Sequence, residues 1–155
     1  MDHISEWILK GSFLWFSAAA AWQDARKRSI SVRTFQIAGM AGIAVRMWEV
    51  CWRGKELMAV MAEGALALLP GIFLLLLSAV TEEAIGKGDG WFFLISGIYV
   101  GSPGNLLLLG GSLLLCFPVS LYLFLKGVRE GRRAGAVRLP FLPFVFPVGI
   151  GVMLL

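Results

Sequence analysis

Residues 21–34, Ala21 to Thr34, read AWQDARKRSISVRT and close a stretch that is almost wholly apolar. Asp24 stands where the apolar run ends, and Arg26, Lys27, Arg28 and Arg33 follow close behind it. Basic residues placed just after an apolar run fix which side of a membrane a helix end occupies, so this stretch reads as the cytoplasmic end of a transmembrane helix. An acid at that depth is costly against lipid, and Asp24 is therefore expected to face a bundle interior or a water-filled cleft.

The rest of the chain fits a membrane protein. Of its 155 residues, 58% are hydrophobic and 15% charged, and the mean hydropathy is +0.79, too apolar for an ordinary soluble domain. The net charge of +4 comes from clusters that flank apolar segments, a pattern that orients helices and argues against a nucleic-acid partner. Cys51 and Cys116 show neither metal-ligand spacing nor a disulfide framework, and His3 is the one histidine. No metal and no cofactor are expected. A cleavable signal is not expected either, because Asp2 and Glu6 precede the first apolar run and the basic cluster follows it.

Six apolar stretches are candidates for spans: Trp7–Gln23, Phe35–Trp52, Leu57–Val80, Trp91–Val100 with a few flanking residues, Leu106–Leu125 and Leu139–Leu155. Ser102, Pro103, Gly104 and Asn105 predict a turn after the fourth, which is short and must be tilted, thinly embedded or re-entrant. Ten of the fourteen lysines and arginines fall in the connections after spans one, three and five. The expected fold is thus an all-α polytopic membrane bundle of about six helices, one domain over residues 1–155, with both termini outside.

This topology brings a second acid to the same face. Asp89, in EEAIGKGDGW, lies between spans three and four. Two carboxyl groups within hydrogen-bond reach cannot both ionise and titrate as a unit. The ionised member takes a proton from water while the neutral one polarises a scissile carbonyl, which is peptide hydrolysis without histidine, cysteine or metal. Gly86, Gly88 and Gly90 around Asp89 are expected to support the substrate site by permitting unusual backbone conformations and close approach of a substrate strand.

Asp24 followed six residues later by Ile30, then Gly86, Gly88 and Asp89 in GKGD, then LPFLPFVFPVG from Leu139 to Gly149, together resemble the prepilin peptidase family. These are GxGD membrane aspartic proteases that remove leader peptides from type IV pilin-like precursors. The resemblance implies Asp24 and Asp89 as the catalytic pair and a prokaryotic inner-membrane location. It also implies a pilin-like or pseudopilin precursor as partner, with a short basic leader ending in glycine ahead of an apolar helix. Larger members add an N-methyltransferase domain near the start; with span one beginning near Trp7, no methyl transfer is expected here. The chain departs from the family at Ser31 and Val32, where Pro and Asn are common, and at Trp91, where lysine is common.

Taken singly, each acid has a plainer reading: Asp24 as an i, i+4 partner of Arg28, and Asp89 as the N-cap of a helix starting at Trp91. Their conjunction in order and sidedness favours the catalytic pair. Glu82 and Glu83 read as solvated charges, Arg129–Arg138 as a topology-setting cluster facing lipid headgroups, and Gly97 with Gly101 as a helix-packing GxxxG pattern. EEAIGK faintly resembles the EExxxR motif of another membrane protease family, whose chemistry needs intramembrane histidines. Pro140, Pro143 and Pro147 predict a kinked or partly unwound final span. The alternative is a nonenzymatic scaffold, or a small transporter using the two acids as a proton or cation site.

Overall fold

A computed structural model describes residues 2–27, 29–54, 56–81, 86–129 and 140–154. Arg28, Glu82, Glu83, Arg132, Arg133 and Arg138 lie outside the described residues. The described chain is all helical: α1 (Asp2–Lys27), α2 (Val32–Arg53), α3 (Leu57–Val80), α4 (Lys87–Arg129) and α5 (Leu142–Leu154).

The fourth element is two helices. Gly101 has φ 71° and ψ 179°, which breaks α4 into limbs of residues 87–100 and 102–129. The limbs fold back on each other: the Asn105 side chain donates to the carbonyl of Phe93 (2.9 Å), twelve residues earlier, and to that of Ala67 on α3 (2.7 Å), and accepts from the Ser96 hydroxyl (2.7 Å). In one straight helix residues 93 and 105 would be about 18 Å apart. The chain therefore reverses at Gly101, and the turn expected over Ser102–Asn105 is displaced. Within residues 101–105 only Gly101 has a positive φ, whereas Pro103 sits in the first turn of the next limb, where its missing N–H costs nothing. Gly101 serves as the hinge and not as half of a packing motif; Gly97 does pack, its Cα lying against the carbonyl of Ala67.

That contact belongs to a close antiparallel pairing of α3 with the first limb of α4. A side chain at Gly90 would strike Leu75 (2.7 Å to Cδ2), one at Gly71 would strike the Leu94 backbone, and one at Gly97 would strike Ala67. Ala67 and Gly71 on α3 and Gly90 and Gly97 on α4 bring the two backbones together, as membrane helices require when dispersion and hydrogen bonding replace the hydrophobic effect.

α1 shows why its acid points inward. Phe13, Phe16, Ser17, Ala20 and Ala21 are buried, and the next position on that stripe, at the same three–four spacing, is Asp24. Phe16 stacks on Phe92 of α4 (centroids 4.9 Å apart), and Phe13 lies against Gly149 of α5. Tyr99 links α4 to α2 by donating to the Ala38 carbonyl (2.6 Å).

α3 and α4 carry stretches long and apolar enough to cross a membrane; in α4 the run Leu106–Leu125 lies wholly in the second limb. The first limb, about 14 residues or roughly 20 Å, falls short of a hydrocarbon core of about 30 Å, in keeping with the short fourth stretch of the sequence. α5 has 13 residues. It starts later than expected and is not unwound: Pro140 precedes it, Pro143 occupies its first turn, and the helix continues through Pro147.

Candidate active site

The end of α1, the start of α4 and the start of α5 converge at one end of the bundle. Asp24 lies in the last turn of α1, where the negative end of the helix dipole disfavours a carboxylate. α5 supplies the compensation. The main-chain N–H of Leu142, the first residue of α5, donates to Asp24 Oδ2 at 3.2 Å. The neighbouring donors cannot compete, since Pro143 has no N–H and that of Phe144 goes to the Phe141 carbonyl. The proline pattern thus leaves one N–H at the positive end of α5 to meet an anion.

Asp89 enters from the other side. α4 begins at Lys87, so Asp89 lies inside the first turn and not ahead of it as an N-cap; its own N–H goes to the Gly86 carbonyl (3.0 Å). It precedes the apolar run that begins at Trp91, at the polar boundary of the bundle. Burial, and secondarily the negative charge of Asp24, push the Asp89 carboxyl up to about 7. The helix N-terminus favours the ionised form, and desolvation outweighs it. Two acids 65 positions apart are therefore electrostatically coupled, with one of them half protonated near neutrality.

The three glycines divide. Gly86 lies beside the Asp89 carboxyl, and Gly88 sits 3.4 Å, at its Cβ position, from Ile30 of the α1–α2 turn. Gly90 faces away from the pair, and its lack of a side chain serves packing on Leu75. Among the described residues only Gly54 and Gly101 have positive φ, so the conformational freedom expected of residues 86, 88 and 90 is not used.

Two contributors escaped the sequence reading. Gln23, beside Asp24, accepts from the Ser31 N–H (2.7 Å) and donates to Thr34 Oγ1 (2.8 Å), fixing the turn that carries Ile30 to Gly88. The other is the Leu142 N–H. Neither has a motif, although the spacing of prolines 140 and 143 marks Leu142 as a residue whose donor has no helical partner.

Residues 11–121, which include both aspartates, match the type IV leader peptidase family. The chain belongs to that family, a family of membrane-associated proteases. The match stops short of α5, whose N–H holds Asp24. No curated protein and no solved structure matches the chain.

Proposed function

We propose that the protein is a membrane aspartic endopeptidase that removes the leader of type IV pilin-like precursors, with Asp24 and Asp89 as its catalytic pair. The carrying observation is the coupling of two acids from α1 and α4 in one half-buried place, one seated on a helix N-terminus and the other pushed up to about 7. Family membership supports peptidase chemistry in general.

The surroundings assign unequal roles. Asp24, on the α5 N-terminus, is the seat for the negative charge; Asp89, half-buried and pushed up to about 7, holds the proton. Asp24 takes a proton from water as its oxygen attacks the scissile carbonyl carbon, and Asp89 gives its proton to the carbonyl oxygen. The resulting tetrahedral diol collapses when Asp24 passes its proton to the leaving nitrogen and Asp89 recovers one from a diol hydroxyl. The C–N bond breaks and both acids return to their starting states.

In this reading the chain crosses the bilayer six times, the limbs of α4 counting separately, with both termini outside and the site at the cytoplasmic face of a prokaryotic inner membrane. Exposed tryptophans support the embedding: Trp7, Trp48 and Trp52 ring the end away from the aspartates, and Trp22 and Trp91 the end near them. The test is a gel shift of a co-expressed precursor whose basic leader ends in glycine. Processing by the wild-type chain and none by Asp24→Asn or Asp89→Asn is the expected result. A wild-type chain inert on every pilin-like precursor sinks the reading.

A further inference from the structure

The outward face of α1 ends in a second feature that the catalytic reading does not use. Trp22, Arg26 and Lys27, together with Ser29 and Ser31 of the following turn, line an open cavity of about 530 Å³. Gln23 and Ile30 complete its walls, and Trp22 and Arg26 lie on the opposite face of α1 from the stripe that ends in Asp24. The Arg26 guanidinium lies over the Trp22 ring, 4.8 Å from its centroid. Among the described residues, neither Arg26 nor Lys27 has an ion-pair partner, and the hydroxyls of Ser29 and Ser31 have no hydrogen bond. Gln23 holds the turn in place through its two bonds to Ser31 and Thr34. Two cations and two hydroxyls thus border one concavity whose shape is set in advance, and no acidic residue is among its walls.

We propose that this cavity binds the phosphate of an anionic phospholipid headgroup. An anionic phosphodiester matches the donors: a flat guanidinium braced on an indole, an ammonium and hydroxyls. What favours a lipid over a soluble phosphate is the track leading into the cavity. Ile8, Trp15 and Trp22 recur every seven residues along one side of α1 and are 56%, 59% and 63% exposed. They form an uncovered apolar line that ends at Arg26, one turn beyond Trp22. Acyl chains along this line would leave the headgroup at the level where tryptophan and basic residues meet the interface. The bound lipid would brace the turn that carries Ile30 to Gly88, next to the aspartates. The proposal rests on the membrane placement of the chain and is independent of its peptide chemistry.

The experiment uses the full chain purified in detergent, with lipid retention read by native mass spectrometry after exposure to phosphatidylglycerol or phosphatidylcholine. The wild-type chain is expected to retain phosphatidylglycerol preferentially, and Arg26→Gln/Lys27→Gln to lose retention on the order of tenfold. Lys10→Gln/Lys126→Gln, which removes the same charge away from the cavity and outside the Arg129–Arg138 cluster, should stay within about twofold of wild type. Trp22→Leu keeps every charge and removes the platform, and should weaken retention several-fold; it guards against misassembly caused by charge loss. Equal losses in the two double variants, equal retention of the two lipids, or displacement of lipid by millimolar inorganic phosphate would each overturn the proposal, the last by assigning the cavity to a soluble anion.

Discussion

The Leu142 main-chain N–H lies 3.2 Å from Asp24 Oδ2, so the last helix of the chain is tied to an acid at the end of the first. The bond joins the negative end of one helix, where Asp24 is badly placed, to the positive end of another, where it is well placed. A carboxylate at the bundle boundary thereby gains a main-chain donor at the positive end of α5.

Sidedness comes first among the expected outcomes. Because Ile30 touches Gly88 and Asp24 couples to Asp89, the α1–α2 turn and the start of α4 must lie on one side of the membrane. Cysteines introduced at Ser29 and Lys87, with Cys51 and Cys116 removed, should both react with a membrane-impermeant thiol reagent only when it reaches the cytoplasmic side. Labelling from opposite sides would dissolve the shared site.

The sequence carried the inward direction of Asp24, because positions 13, 16, 17, 20 and 24 recur at helical spacing, and it carried the order of the apolar stretches. It did not carry the reversal at Gly101. Ser-Pro-Gly-Asn has the strongest local turn signal, yet Asn105 is drawn into the helix by partners on α3 and the first limb, which are contacts distant in sequence. Gly90 was misread for the same reason. A glycine beside a motif aspartate looks like a device for substrate access, and only the position of Leu75 shows that it is a packing surface. Hydrogen bonds such as those of Gln23 and the Leu142 N–H depend on tertiary placement and leave no periodic trace.

Close packing of α3 on α4 gives a stability prediction. Gly97→Ala places a methyl group on the Ala67 carbonyl, and Gly71→Ala places one on the Leu94 backbone, neither of which is a flexible side-chain end. Each should cost about 1–3 kcal/mol or separate the helices outright. Gly110→Ala meets nothing within 4 Å and should be near neutral. Thermal unfolding in detergent, followed by circular dichroism, measures the contrast; equal behaviour of all three would show that the helices do not pack at this distance.

Asp89 sets a pH dependence. Its carboxyl rises from the ordinary 3.8 to about 7 on folding, so the folded chain holds this proton more tightly than the unfolded chain does. The associated stability is present in full below about 3.8 and is lost as pH rises through about 7. Wild-type melting temperature should therefore fall relative to that of Asp89→Asn across this window. Cleavage should decline on the alkaline side with an apparent pKa near 7, as the pair loses its shared proton. A kcat/KM profile flat from pH 6 to about 9 would exclude Asp89 as the proton donor.

Replacing either aspartate separates chemistry from folding. Asp24→Asn and Asp89→Asn should each abolish cleavage and leave an inserted, helical protein, because the amide keeps the size and hydrogen-bonding capacity of the acid and is cheaper to bury. An amide can accept the Leu142 N–H as the carboxylate does, so the tie between α1 and α5 survives in Asp24→Asn. At position 24 it cannot take a proton from water, and at position 89 it cannot give one to the scissile carbonyl oxygen. Since the two acids act as a unit, the double variant should be scarcely slower than either single one. Infrared spectroscopy distinguishes their roles: at pH 6 a protonated-carboxyl band should be present in the wild type, retained in Asp24→Asn and lost in Asp89→Asn. Loss of the band in Asp24→Asn alone would reverse the assignment of proton and charge, and normal processing by either variant would remove that aspartate from the mechanism.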